Sequence, residues 1–518
     1  MIIKPSIVPR WISPLRSVAL LEPKRTAHSY ASVNGADLDA FRSFVGADNV
    51  KTSPDELKMY NVDWFKKYRG ASPVAVLPKT TEQVSRVLHH CNKRCLPVVP
   101  QGGNTGLVGG GIPTGGEVVL STSRMNSIVS FDPLANIIVC ESGCILETLN
   151  TFLADRGCIM PLDLGAKGSC QIGGNISTNA GGLRLLRYGS LHGSILGVEV
   201  VLADGTILDL LSSNRKDNTG YALKHLFVGA EGTLGVVTRC SIAVPPRPAH
   251  VTVALLALPD FSAVQRFLSL ARGRLAEVLS AVEFMDKETV ELTLDKCPGV
   301  RSPFPSVDGG NCGGHAFYVL IETSGSDATH DGEKLERFLE IGMESGTIVD
   351  GAVAQDMSQA NSMWSLREHV PLALSLAGYT YKYDVSVPVG DFLALADETR
   401  RRVRGLCSPE PIVVAFGHLG DGNLHLNVSV PKAEEDGGAE GETGGSGSAK
   451  LFAALDPFVF EWVVSRGGSI SAEHGIGQHK RNFLSMQRPE PVIGVMRGVK
   501  NMLDPRGIMN PFKVLPEA

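Results

Sequence analysis

Between Gly102 and Gly111 six of ten residues are glycine, within the run Pro100-Gln101-Gly102-Gly103-Asn104-Thr105-Gly106-Leu107-Val108-Gly109-Gly110-Gly111. Glycine loses the most backbone freedom on ordering, so such a run suits a loop whose main chain must come close to something else, not the interior of a helix or strand. Successive amides in such a loop can point their N–H groups at phosphate oxygens. The run matches neither G-x-G-x-x-G nor G-x-x-x-x-G-K-[ST], which disfavours a nicotinamide-binding Rossmann unit and a P-loop. A second tract holds Pro161 and Gly165, Gly173-Gly174-Asn175, Thr178-Asn179, Gly181-Gly182 and Tyr188-Gly189, and a third is Glu231-Gly232-Thr233-Leu234-Gly235. Three backbone cradles within about 140 residues imply one long ligand carrying a pyrophosphate. The residues expected to hold it are Pro100, Gln101, Gly102, Gly103, Asn104, Thr105, Gly106, Pro161, Gly165, Gly173, Gly174, Asn175, Thr178, Asn179, Gly181, Gly182, Tyr188, Gly189, Glu231, Gly232 and Gly235.

The first tract is entered from a β-α rhythm. Val74-Ala75-Val76-Leu77 reads as a strand, Thr81 to Arg94 carries Val84, Val87, Leu88 and Cys91 at helical spacing, and Leu96-Pro97-Val98-Val99 is the next strand. Asp204-Gly205 between two apolar runs signals a hairpin. The texture changes after Pro245-Pro246-Arg247-Pro248, where the order of strands and helices suits an antiparallel sheet with helices on one face. Residues 433–450 form an acidic, Gly/Ser-rich insertion of flexible-linker composition, and helices expected at about 451–466 and 490–503 finish the chain.

A length of 518 residues, 43% hydrophobic and 20% charged, allows two or three ordinary globular domains. A net charge of −5 with no long basic run argues against nucleic acid as the main partner. Ten cysteines without a C-x-x-C pair read as reduced, mostly buried thiols. No apolar run approaches the roughly 20 residues that span a bilayer. In the first thirty residues Lys4, Arg10, Arg16, Lys24 and Arg25 stand among apolar residues with Glu22 as the one acid, a composition that resembles a mitochondrial presequence.

The stretch most suited to chemistry is Gly417-His418-Leu419-Gly420-Asp421-Gly422-Asn423-Leu424-His425-Leu426-Asn427. It reads as a strand, a glycine turn and a second strand in which Leu424, Leu426 and Val428 share one face and His425, Asn427 and Ser429 the other. With Glu473 of the later segment Ser471-Ala472-Glu473-His474-Gly475, two imidazoles and a carboxylate form a three-ligand zinc set with an open fourth position. In the segment from Thr380 to Val387, Thr380, Lys382, Asp384 and Ser386 share one face, and Arg367 lies one turn after Trp364 on a candidate helix. Two cations beside a metal suit a dicarboxylate with a hydroxyl at C2.

The loop at 100–111, the Ile172-Gly173-Gly174-Asn175 segment and Glu231-Gly232-Thr233-Leu234-Gly235 resemble the FAD-binding domain of the vanillyl-alcohol oxidase family. The segments at 363–368, 381–388, 417–427 and 471–475 resemble the FAD-linked D-2-hydroxy-acid dehydrogenases of that family, and the likeness runs from about Asn61 to Pro516. The resemblance implies an α+β protein: a presequence at 1–30, a two-part FAD-binding domain at 31–248, an antiparallel-sheet substrate domain at 249–450 carrying the metal site, and a helical segment at 451–518. It implies FAD bound noncovalently, since Asn104 and Thr105 lie where covalent members carry a histidine. It implies His418, His425 and Glu473 as ligands of Zn2+ or another divalent metal, His474 as the base, and Arg367, Lys382 and Asn427 as substrate contacts. The activity implied is oxidation of D-2-hydroxyglutarate to 2-oxoglutarate by hydride transfer to FAD in the mitochondrial matrix, with electron-transfer flavoprotein as acceptor. D-lactate or glycolate as substrate stays open, as does a homodimer.

Overall fold

A computed structural model describes residues 30–305, 313–431 and 446–517. The expected presequence and most of the 433–450 insertion therefore lie outside the described residues. Near the N-terminus a small sheet runs in the order Val50–Lys51, Val74–Val76, Val118–Ser121, Val98–Gln101, with the last three strands parallel. The helix Thr81–Arg94 is capped by the Thr80 hydroxyl on the Gln83 N–H and buries Val84, Val87, Leu88 and Cys91 against this sheet, as its spacing predicts. An antiparallel five-stranded sheet follows, in the order Ile128–Asp132, Ile137–Glu141, Val236–Ala243, Ile195–Val201, Ile207–Leu210. Asp204-Gly205 makes the turn of its last hairpin, with Gly205 at φ +92°.

The second half is built on seven antiparallel strands in the order Asp350–Val353, His250–Leu258, Phe317–Gly325, Leu279–Asp286, Ile412–His418, Asn423–Pro431, Gly378–Ser386. Alternation along these strands produces two apolar faces. One is covered by Phe261–Arg274, Ala328–Glu344, Phe392–Val403 and Ser446–Ser465. The other is covered by Lys287–Lys296, Met357–Glu368 and Val370–Ala377. Helices thus lie on both faces of this sheet, where the order of elements suggested one; Val414, Phe416, Met285 and Leu320 supply a second apolar surface that helices must cover.

Register across the central strands sets the site. Glu283 stands opposite His418, Phe416 opposite His425, His425 opposite Asp384, and Asn427 opposite Lys382. On the far side of the same strands Tyr381, Tyr383, Val385, Leu424, Leu426 and Val428 are buried, so the polar residues share the opposite face. The chain then returns to the first half. Residues 471–480 cross between the two, and Met509 pairs with Val98 while Ile508 and Met509 enter the N-terminal core.

Candidate active site

The strand Ile412–His418 ends on one imidazole, the turn reverses the chain, and Asn423–Pro431 carries the next one two residues in. Glu473 and His474 arrive from the crossing segment and are held by Asp384, whose Oδ2 accepts both their backbone N–H groups at 2.9 Å. Asp384 Oδ1 accepts from Asn423 Nδ2 at 2.9 Å, so three N–H donors hold the carboxylate in place. Lys382 shares a face with Asp384 but turns away from it, its Nζ lying 3.5 Å from the centre of the Phe65 ring.

Glu473 Oε1 is the focus of the cluster. The Nε2 atoms of His418, His425 and His474 lie 3.8, 3.8 and 3.7 Å from it. These separations are too long for hydrogen bonds, whose N···O distances run to about 3.2 Å. They approach the roughly 3.3 Å edge expected between donors around a tetrahedral ion with 2.0–2.1 Å bonds. The opposite nitrogens turn outward to carboxylates: His418 Nδ1 to Glu283 Oε1 at 2.7 Å, His425 Nδ1 to Asp384 Oδ1 at 3.8 Å, and His474 Nδ1 to Asp384 Oδ2 at 3.7 Å. Imidazoles backed by carboxylates and converging on a third carboxylate are a donor set that fits a divalent metal. A group of Asp384, His425, Glu473 and His474 has one donor atom each within 4.8 Å of one another. Since Asp384 already takes three N–H donors, orienting the ring nitrogens is the role its geometry suits.

Charge in the cluster is strongly coupled. Burial opposes ionisation of His418, but the adjoining Glu283 carboxylate overcomes it and pushes the imidazole up to about 10. Burial, then the neighbouring His418, push His425 down to about 3. Glu473 would rise on burial, but contact with His418 and its other imidazole neighbours holds it well below the ordinary carboxylate range. Lys382 falls to about 8, first from burial and then from repulsion by Lys67.

Two cavities meet at His474. One, of about 980 Å³, is lined by Pro100, Gln101, Gly102, Gly103, Asn104, Thr105, Gly106, Gly173, Gly174, Asn175, Thr178, Glu231, Gly232 and Gly235, all expected cofactor contacts, and by His474. A Cβ built on Gly106 or Gly174 would meet no protein atom within 4 Å, so protein packing does not require glycine there; an occupant close to the main chain would. Asn175 Oδ1 is buried at the same cavity with no hydrogen-bond partner among the described residues. These features fit FAD. Two polar side chains of the first loop face inward: Gln101 Nε2 donates to Tyr60 O and Gly111 O, and Asn104 Nδ2 to Met59 O and Val62 O. Pro161, Gly165, Asn179, Gly181, Gly182, Tyr188 and Gly189 do not line this cavity. Gly182 instead donates its N–H to Glu473 Oε2 at 2.7 Å.

The other cavity, of about 750 Å³, is lined by Lys382, His474, His479, Lys480, Phe65 and Lys67 among others. Of the expected substrate contacts Lys382 lines it, and Asn427, its cross-strand neighbour, does not. Arg367 lines neither cavity and sits toward the histidine cluster: its Nε donates to Glu283 Oε2 at 2.9 Å and its guanidinium carbon lies 4.7 Å over the Phe416 ring. Three contacts that position the cluster come from carboxylates and an amide outside the expected ligand set. Asp384 shares the predicted face of Lys382 and was open to inference; the glycine pair marks a close approach at Gly182 without saying by what, and Glu283 carries no local signal.

Residues 72–211 match the family model described as an FAD binding domain, and residues 247–514 the one described as FAD linked oxidases, C-terminal domain. An Arabidopsis thaliana protein named D-2-hydroxyglutarate dehydrogenase, mitochondrial, is 47% identical over 489 residues, which is 94% of this chain and 83% of the relative. A Danio rerio protein of the same name is 49% identical over 488 residues, 94% of this chain and 86% of the relative. A Schizosaccharomyces pombe protein named putative D-lactate dehydrogenase, mitochondrial, is 45% identical over 93% of this chain and 91% of its own length. Among solved structures, p-cresol methylhydroxylase with substrate bound superposes with a TM-score of 0.73 over 93% of this chain and 96% of that one; at 16% identity this shows the shared fold.

Proposed function

The chain belongs to the FAD-linked oxidases of the vanillyl-alcohol oxidase type and is an FAD-dependent oxidoreductase, and from that premise we propose that it oxidises D-2-hydroxyglutarate to 2-oxoglutarate. The observation that carries this reading is the position of His474, which lines both the cavity that fits FAD and the cavity walled by Lys382. A group at that junction can take the hydroxyl proton of a substrate whose C2 faces the flavin.

His418, His425 and Glu473 would hold Zn2+ or another divalent ion, and the cradles at 100–106, 173–175 and 231–235 would hold FAD without a covalent bond. When bound, the flavin supplies a hydride acceptor and the metal lowers the pKa of a hydroxyl beside it. The protein's own residues do the rest. Arg367, Lys382 and Asn427 bind and orient the carboxylates, His474 accepts the hydroxyl proton, and Asp384 fixes the His474 backbone and faces its Nδ1. His474 suits the base role because its side chain is 25% exposed, against 9% for His418 and 11% for His425.

The electron acceptor in this reading is electron-transfer flavoprotein and the location is the mitochondrial matrix; the names of the relatives support the mitochondrion. The name of the fission-yeast relative favours a second reading, D-lactate as substrate. Anaerobic addition of each acid to the purified flavoprotein decides between them. Bleaching of the flavin absorbance by D-2-hydroxyglutarate at far lower concentration than by D-lactate is the expected result, with one equivalent of divalent metal per chain; preference for D-lactate overturns the reading.

A further inference from the structure

The cavity beside His474 has two walls. One is the strand Gly378–Ser386, which carries Lys382. The other is the loop following the helix Pro54–Asn61, which contributes Asp63, Phe65 and Lys67 from the N-terminal half of the chain. This loop is tightly pinned. Val62 bridges to Arg69, Asp63 Oδ1 accepts the Tyr68 N–H at 2.6 Å, Gly70 N donates to Asn61 O at 2.7 Å, and Asn104 Nδ2 donates to Val62 O at 2.9 Å. A loop so held presents its side chains in fixed positions, and the Phe65 ring lies 3.5 Å from Lys382 Nζ.

The charges in this cavity do not balance. Among its described lining residues the one carboxylate is Asp63, which accepts the Tyr68 N–H and, with Asp456 behind the wall, offsets part of the Lys67 charge, against three ammonium groups at Lys67, Lys382 and Lys480. Lys480 also lines it, but its ammonium donates to the Asp384 carbonyl at 3.3 Å. Lys67 and Lys382 remain, and neither pairs with a carboxylate among the described residues. Two ammonium groups facing one cavity repel each other until an anion enters between them. Arg367 lies outside this lining, beside the histidine cluster, against Phe416 and the Glu283 that also meets His418.

We propose that Lys67 is a substrate-binding residue that, together with Lys382, holds the distal carboxylate of a 2-hydroxy dicarboxylate, while the C1 end lies toward His474 and Arg367. This deepens the function proposed above and rests on its substrate class. A carboxylate has lone pairs enough for both ammonium groups, and a monocarboxylate whose one carboxylate is held at the C1 end has none left to offer them. The distal end of the substrate is thereby read by both halves of the chain, by Lys67 from the N-terminal half and Lys382 from the C-terminal half, and the reacting end by the C-terminal half.

The test compares wild type, Lys67→Met, Lys67→Arg and Lys382→Met as flavin- and metal-loaded enzyme. Loss of a charge-assisted contact is expected to lower kcat/KM for D-2-hydroxyglutarate roughly 10- to 150-fold in Lys67→Met, mostly through KM, with Lys67→Arg recovering most of it. Binding of glutarate, which has both carboxylates and no hydroxyl, is measured by calorimetry beside butyrate, which has one. Glutarate affinity falling in Lys67→Met with butyrate affinity unchanged supports the proposal. Unchanged glutarate affinity, or equal losses for both acids, overturns it. If wild type fails to oxidise D-2-hydroxyglutarate, the proposed activity falls, while the glutarate and butyrate measurements still decide the role of Lys67.

Discussion

His418 Nδ1 lies 2.7 Å from Glu283 Oε1, and the other oxygen of that carboxylate accepts from Arg367 Nε at 2.9 Å. One buried acid thus orients a proposed metal ligand and a proposed substrate contact at once. Glu283→Gln keeps the volume and removes the charge. Outer hydrogen-bond partners of metal-bound histidines are worth about 10- to 100-fold in metal affinity, so chelator competition should show a loss of that size, with flavin content unchanged. Wild-type metal affinity in the variant would mean that Glu283 supports no ligand.

The roles of the three imidazoles separate on metal content. His418→Ala, His425→Ala and Glu473→Ala are each expected to lose the metal and retain FAD, because the cradle residues lie in the other half of the chain. His474→Ala should keep the metal and lose roughly 10²- to 10⁴-fold in kcat, the usual contribution of a positioned base. Metal loss in His474→Ala as well would make it a fourth ligand in place of the base.

Activity should carry an alkaline limb from Lys382. Its pKa is depressed to about 8, by burial first and Lys67 second, and only the charged form attracts a carboxylate. In the free enzyme kcat/KM for D-2-hydroxyglutarate should therefore fall as pH rises through about 8, toward tenfold per unit. A bound carboxylate stabilises the ammonium, so kcat should fall at higher pH than kcat/KM. Lys382→Arg keeps its charge across this range and should abolish the limb. A limb of unchanged position in Lys382→Arg would assign it to another group.

Patterns of short range were legible in the sequence. The alternation that placed His425 and Asn427 opposite Leu424 and Leu426, and Lys382 opposite Tyr381 and Tyr383, is the alternation observed. Period-two patterns report which face a residue takes but not which strand lies beside it, so the pairing of Glu283 with His418 across 135 residues left no trace. Glycine texture has the same limit. It shows that something approaches the backbone at Gly181 and Gly182, but not that the visitor is Glu473.

That last contact yields a prediction that separates the two halves of the site. Gly182 N–H holds Glu473 Oε2 at 2.7 Å, and a Cβ built on Gly181 would lie 3.0 Å from the same oxygen. A side chain at 181 must displace that carboxylate by a few tenths of an ångström. Because Oε1 of the same group sits among three Nε2 atoms at 3.7–3.8 Å, even a small displacement disturbs all the proposed donor distances together. Gly181 does not line the cavity that fits FAD, so Gly181→Ala should lower metal occupancy and kcat while flavin content stays at one per chain. The Leu185 Cδ1 atom, 3.5 Å from the added carbon, is in ordinary contact and presents no obstacle to folding. Metal analysis and flavin absorbance on one preparation provide the check: loss of flavin with metal retained would return Gly181 to the flavin cradle and break its link to Glu473.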